Sequence, residues 1–450
     1  MRRLREDATA IWRAGLSAVD SAAVVRRVLS YSSGRLSIAG RNLDVSQIGR
    51  VEVLGAGKAG AGMARGFEQA LEGTPLCDRF SGWVNVPEDC VLPLRRIHLH
   101  PARPPGRNEP TMAVVRGTEE ILRRARGLRV DDVCVVLLSG GGSALLCSPE
   151  SGISLEDKLA VTRLLSASGA PIQELNLVRT QLSRVKGGGL AEACGGGLLI
   201  TLVISDVIGD PLDVIGSGPT YPAMKRCGEA VEILRRRGVW GAVPSAVRGY
   251  LEQFAITGTA GAGRILAELH HEIVASNSIA LDAAAVRARE LGYVVLPMLR
   301  DMSGEAAEAG RRFWGELVRA GGTERVCLLG GGETTVNVSS AGDRIGRGGR
   351  NQEFVLAVAE AAGFAAESWQ GRAILSGGTD GEDGPTVAAG AWCDGLVADS
   401  ASEQGLVPRE FLERHDSYSF FERTDGLLIT GPTQTNVMDL VVGLSSPESV

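Results

Sequence analysis

The residues best suited to chemistry lie in polar, glycine-rich segments that each follow an apolar run. The first is Gly55-Ala-Gly57-Lys58-Ala-Gly60, after Val51–Leu54. Backbone N–H groups at such a loop favour an anion where a helix follows, and Lys58 adds a cation suited to a phosphate or a carboxylate. A solvated lysine on a plain structural turn is the alternative. The glycines also satisfy part of the dinucleotide fingerprint, which further requires an acidic residue about 20 positions on, after a second strand. Asp78 lies near that distance, but no clear strand precedes it.

Ser139-Gly140-Gly141-Gly142-Ser143 follows Val133–Leu138. Successive glycines can turn their N–H groups toward one anion, with the flanking hydroxyls as extra donors. A tight strand-to-helix turn accounts for the same run. It is not the nucleophile elbow of a serine hydrolase, because Ser143 lacks the glycine two residues later. Asp206-Val-Ile-Gly-Asp210-Pro-Leu-Asp213 sets carboxylates on a loop that closes with Gly216-Ser-Gly-Pro-Thr220, and Asp380 sits in Gly377-Gly-Thr-Asp380-Gly-Glu-Asp383. Asp206, Asp210 and Asp380 suit Mg²⁺, which takes oxygen ligands while bridging phosphates; local Asx turns are the competing explanation.

The densest segment is Gly330-Gly331-Gly332-Glu333-Thr334-Thr335, followed by Gly346-Arg-Gly-Gly-Arg350-Asn351. Arg350 and Asn351 at a predicted helix N-terminus suit an anion; capping or a surface ion pair is the alternative. Thr433 and Asn436 fall in a last polar turn, Thr430–Asp439. His270 and His271 read as part of a helix or its end and pair with no nucleophile.

These segments require a scaffold, and strand, glycine loop and helix recur in order. Val51–Leu54, Val133–Leu138 and Leu198–Ser205 are apolar throughout, as parallel strands covered on both faces must be. Helical stretches at Glu6–Leu29, Pro110–Arg126, Leu155–Ser168 and Leu175–Val185 alternate with them, which predicts a doubly wound parallel sheet. A small-residue stretch at 256–263 has linker composition and divides the chain into domains 1–258 and 259–450. The second series predicts another α/β domain, with strands at Glu272–Ala275, Tyr293–Leu296, Arg325–Leu329, Ala373–Leu375 and Leu427–Thr430.

The 450 residues exceed one ordinary core, and 44% hydrophobic against 22% charged residues is a globular balance. A net charge of −6 argues against nucleic acid or anionic membrane as a partner. The eight cysteines form no C-x-x-C pair and read as reduced, mostly buried thiols. With no signal peptide or apolar span, a cytoplasmic location is expected.

Taken together, Gly55–Ala59, Leu138–Ala144, Asn176–Gly188, Asp206–Leu212, Gly216–Thr220, Gly331–Thr335, Gly346–Glu353, Thr379–Thr386 and Gly431–Asn436 resemble the glycerate 2-kinases that carry a MOFRL domain. The resemblance implies a Rossmann-like N-terminal domain, a second, MOFRL-type α/β domain and an active site in the interdomain cleft. It also implies ATP with Mg²⁺, and D-glycerate phosphorylated on its 2-hydroxyl. On it, Lys58 matches the active-site lysine, with Glu333 and Arg350 as its catalytic companions. Gly55, Gly57, Ser139 to Ser143, Lys186, Gly331, Gly332, Thr334, Asn351, Thr433 and Asn436 would contact substrate or nucleotide. The chain departs from the family pattern at Thr180-Gln181, Gly189, Val387 and the stretch after His100-Pro101. A hydroxypyruvate reductase using NAD(P)H and a non-catalytic sugar-acid or nucleotide sensor stay open as alternatives, as does a homodimer.

Overall fold

The computed structural model describes residues 2–104, 109–257, 265–338 and 345–447. The chain divides into two compact units, Ser21–Val274 and a discontinuous one made of Met1–Asp20 with Ala275–Val450.

Helix α1 (Arg2–Ala18) opens the chain, and α2 (Ser21–Arg27) leads into an antiparallel meander of β1 (Leu29–Ser32), β2 (Arg35–Ile38) and β3 (Arg41–Asp44). The main sheet of the Ser21–Val274 unit then begins at β4 (Val51–Ala56), followed by α3 (Gly60–Leu71), β5 (Phe80–Pro87), β6 (Ile97–Arg103), α4 (Met112–Arg126) and β7 (Val133–Leu138). Helices α5 (Gly142–Leu145), α6 (Leu155–Ala167), α7 (Ile172–Gln181) and α8 (Gly189–Ala193) precede β8 (Leu198–Ile204). Helices α9 (Cys227–Arg236) and α10 (Ser245–Thr257) precede β9 (Glu268–Ala275).

The strands lie in the order β6-β5-β4-β7-β8-β9, and every pair from β6 to β8 is parallel. Counted from β4, that is the order 3-2-1-4-5-6 of a dinucleotide-binding sheet, in which the direction of winding reverses between the first and fourth strands. Strands β4, β7 and β8 are buried at every position, which is why they read as unbroken apolar runs. The charged exception, Glu52, is held by Arg124 at 2.8 Å and by the Ser81 hydroxyl at 2.9 Å.

In the other unit, α11 (Asn277–Glu290), β10 (Val294–Val295), β11 (Leu299–Met302), α12 (Ala306–Ala320) and β12 (Val326–Gly332) are followed by α13 (Arg350–Ala362), β13 (Arg372–Gly378), β14 (Gly390–Asp394), β15 (Leu427–Leu428) and β16 (Asp439–Ser445). Its sheet is mixed. β16 runs between β12 and β13 and antiparallel to both, and β14 and β15 continue antiparallel. Phe313, Phe354 and Ile374 pack on one face, and Leu375, Leu440 and Leu444 on the other.

Three expectations change. The division at 258/259 falls outside the described residues, and the units part after residue 274, because Glu268–Ala275 is the edge strand of the first sheet instead of the start of the second. His270 and His271 therefore lie on a strand, not a helix. Helix α1, expected with the N-terminal domain, belongs to the other unit. Its Leu4, Ala8, Ile11 and Trp12 form one apolar stripe that is buried with Leu440, Val442 and Leu444 of β16.

Candidate active site

Within Ser21–Val274, β4 and β7 are paired in register from Val51↔Val133 to Ala56↔Leu138, so the loops that leave them start side by side. Open α/β sheets bind ligands beyond the carboxyl ends of their strands, where the winding reverses. The two loops are clamped together. Lys58 N–H donates to Gly140 O at 2.9 Å, Ala59 N–H to Ser139 Oγ at 3.0 Å, and Ser139 N–H to Ala56 O at 3.2 Å. Gly57, at φ 147°, has no room for a side chain, since a Cβ there would lie 2.0 Å from Ser139 Oγ. A Cβ on Gly55 would come 2.3 Å from Leu137 O. These two glycines and the buried Ser139 thus build the turn, and Lys58, half-buried, is the side chain the turn presents.

Gly142 N–H is spent inside its own turn, on Ser139 O at 3.1 Å, so the glycine run is not a three-donor nest. Ser143, half-buried, shares hydrogen bonds with Lys186 Nζ, with Ser217 Oγ at 3.1 Å and with Arg179 Nη2 at 3.3 Å. Lys186 is buried and also donates to Ser143 O at 3.0 Å and Ser217 Oγ at 3.1 Å. Burial, and then the positive charges of Arg179 and Lys158, push its amine well below the ordinary lysine value. Arg179 and Ser217 were not singled out in the sequence. Their signal was present, because both lie inside the stretches that carry the family resemblance.

In the discontinuous unit the ends of three strands and one helix meet. Asp439 at the start of β16 pairs in register with Gly332 of β12 and Gly378 of β13. Arg350, the first residue of α13, grips Asp439 through Nε at 2.7 Å and Nη2 at 2.9 Å, and its Nη1 lies 3.0 Å from Glu333. Burial opposes the guanidinium charge, but Asp439, Glu333 and Asp383 outweigh it and raise its proton affinity. Asn351 is buried, donating to Asp439 at 2.9 Å and accepting from Ser376 Oγ at 2.6 Å.

The N-terminus of α13 already holds its anion. Asp383 accepts the backbone N–H groups of Asn351 and Gln352 at 3.0 and 2.9 Å, and burial pushes its carboxyl up to about 6. In this structure the group that Asn351 and the helix N-terminus meet is thus an internal carboxylate. Gly331 and Gly332, expected in a loop, are strand residues at the end of β12. A Cβ on Gly331 would meet Asn277 Oδ1 at 1.9 Å, so packing demands that glycine. The cavity that Gly331, Gly332, Thr334, Asn351, Ser376 and Asp439 line is only about 10 Å³, room for about one water. Thr433 Oγ1 donates to Thr379 O at 2.5 Å, and Asn436 Oδ1 accepts from Met438 N–H at 3.2 Å; both tie the last turn in place.

Among the described residues, no three His, Cys, Asp or Glu side chains converge as a metal site. Asp380 closes an Asx turn onto Glu382 N–H at 3.1 Å, as the competing explanation required. All eight cysteines are free thiols, and six of them are buried.

Fold and side chains together define a two-unit α/β protein whose Ser21–Val274 unit presents a lysine loop at the winding reversal of a dinucleotide-type sheet. Residues 7–252 match the family described as "Domain of unknown function (DUF4147)", and residues 326–439 match the MOFRL family. The chain belongs to the glycerate kinase family that combines these two domains, a family of kinases. The glycerate 2-kinase of Pyrococcus horikoshii is 36% identical over 438 residues, covering 95% of this chain and 94% of that protein. An Agrobacterium vitis protein whose name proposes hydroxypyruvate reductase is 39% identical over 408 residues, covering 89% and 88%. The crystal structure of glycerate kinase from Thermotoga maritima superposes with a TM-score of 0.82 at 31% identity, covering 99% of this chain and 100% of that one.

Proposed function

We propose that the protein transfers the γ-phosphoryl group of ATP to the 2-hydroxyl of D-glycerate, giving 2-phosphoglycerate. The observation that carries this reading is the pair of clamped loops at the winding reversal, which present Lys58 where such sheets bind phosphate-bearing ligands. Phosphoryl transfer asks a protein mainly to align donor and acceptor and to offset charge around a loose transition state. Lys58 supplies a compact cation. In the other unit, Arg350 is a candidate cation fixed in direction by its two-pronged bond to Asp439. Asp206 and Asp210 fit Mg²⁺ in donor chemistry, since that ion needs only one or two carboxylates once phosphates and waters complete its shell. When bound, the ion would neutralise phosphate charge. The free thiols suit a reducing compartment, which supports a cytoplasmic setting for the reaction.

One observation favours a second reading, hydride transfer. Glu88, exposed, directly follows β5 and stands where dinucleotide folds place a ribose-binding acid. The deciding experiment couples ADP release to a panel of small hydroxy acids, identifies the product by NMR, and runs NADH with hydroxypyruvate in parallel. ADP release that requires D-glycerate and yields 2-phosphoglycerate is expected, with no NADH oxidation; the converse pattern overturns the kinase reading. Lys58→Ala should remain folded and lose about two orders of magnitude or more in turnover.

A further inference from the structure

Three cationic side chains of the Ser21–Val274 unit, Lys158, Arg179 and Lys186, influence one another electrically, and their hydrogen bonds go only to neutral oxygens. Lys158 Nζ donates to Leu182 O at 3.1 Å, Arg179 Nη2 to Ser143 Oγ at 3.3 Å, and Lys186 Nζ to Ser143 and Ser217. Among the described residues, no carboxylate forms an ion pair with any of the three. Glu150, which lies within electrical range of Lys158, is committed to Lys225. Burying an ammonium without a counter-ion costs several kcal/mol, so the cluster is a standing demand for negative charge.

The cluster has an accessible side. Lys186 and Ser217 are buried at 2% and 4% exposure, whereas Ser143 and Arg179 are half-buried. An incoming group would meet the guanidinium fork and the Ser143 hydroxyl first, with the Lys186 amine behind them. The loop that carries Ser217 is held in an uncommon conformation to reach this point. Gly216, Ser217 and Gly218 have φ of 60°, 66° and 58°, and a left-handed non-glycine residue costs about 1–2 kcal/mol. Gly142 packs against Gly216, with 3.7 Å between its would-be Cβ and Gly216 Cα, and the Lys58 side chain lies against Gly141. The cluster therefore borders the lysine loop without being part of it.

We propose that Arg179, Lys186, Ser143 and Ser217 form a receptor for one small oxyanion, and that its occupant during turnover is the carboxylate of the acceptor acid. This rests on the kinase reading above. A guanidinium fork matches the two oxygens of a carboxylate, and a single recessed ammonium suits a singly charged group better than a polyphosphate. It follows that the enzyme requires an acid as acceptor and discriminates against the corresponding neutral amide.

The test uses the full chain and Arg179→Gln, with Arg179→Lys as a second, milder variant and thermal unfolding of each to establish folding. D-glycerate, inorganic phosphate and ATP are each titrated calorimetrically without the other substrates, and KM is measured for D-glycerate, glyceramide and ATP. Arg179→Gln should weaken D-glycerate binding and raise its KM about 10- to 100-fold, the loss of one charge-assisted contact. The KM for ATP should stay within about twofold, and the preference for glycerate over glyceramide should collapse. Equal D-glycerate affinity in wild type and variant would overturn the receptor. Arg179-dependent binding of phosphate or ATP without D-glycerate would overturn the carboxylate as its occupant. If the wild type binds D-glycerate through Arg179 yet transfers no phosphoryl group, the kinase reading falls and the receptor stands.

Discussion

Arg350 shows how much one side chain depends on its partners. It joins an exposed carboxylate, Glu333, and a buried one, Asp439, and these two are not equivalent in energy. Removing one member of a buried pair strands the other, at about 3–5 kcal/mol, whereas an exposed pair contributes under about 1 kcal/mol. Asp439→Ala should therefore cost about 3 kcal/mol of unfolding free energy in urea, and Glu333→Gln less than about 1 kcal/mol. Equal losses would mean that the two-pronged bond does not hold the helix end. Lys58 and Arg350 were legible as candidate cations because their glycine-rich surroundings are conspicuous in the sequence. Asp439 and Asp383, which orient Arg350 and cap its helix, were not. An aspartate in a polar turn reads the same whether it caps a helix far along the chain or faces water, and only the fold distinguishes them.

Elements were read best where a single segment carries its own pattern. Strands β4, β7 and β8 and helices α4 and α6 lie within a few residues of expectation, because continuous burial and a 3.6-residue stripe are local signals. Strand β16 escaped notice although it is the middle strand of its sheet, as did β5 and β6. β16 directly follows a Gly/Pro/Asn turn that drew attention to its polar residues, and nothing local announces an antiparallel strand between two parallel ones. Helix α6 carries a buried lysine on its core-facing side. Lys158 is pushed down from 10.5 to about 8, first by burial and then by Arg179. Between those values the unfolded chain keeps a proton that the folded chain has released, so stability rises with pH across that window and the benefit is lost as pH falls through about 8. Relative to Lys158→Met, the wild type should gain about 1 kcal/mol between pH 7 and pH 9, measured by urea unfolding at each pH. A flat difference would mean that the amine stays charged in the fold.

For the whole molecule, the division into units has the most consequence. Because α1 completes the apolar face of the sheet that contains β16, a fragment 275–450 lacks Leu4, Ala8, Ile11 and Trp12 of its own core. Large-to-small changes in such cores cost about 3–5 kcal/mol for one aromatic alone. The fragment should show no cooperative thermal transition by circular dichroism, and adding a peptide of residues 1–20 should restore one. Cooperative melting of the fragment alone would show that the helix is dispensable. The same arrangement sets an order of events at the ribosome. Helix α1 must wait, its apolar stripe uncovered, until β16 is released. At roughly 5–20 residues per second that delay lasts tens of seconds. The intervening unit can close in the meantime, so the nascent chain passes the last part of its synthesis as one finished body beside an uncovered, sticky helix, a natural client for a holding chaperone.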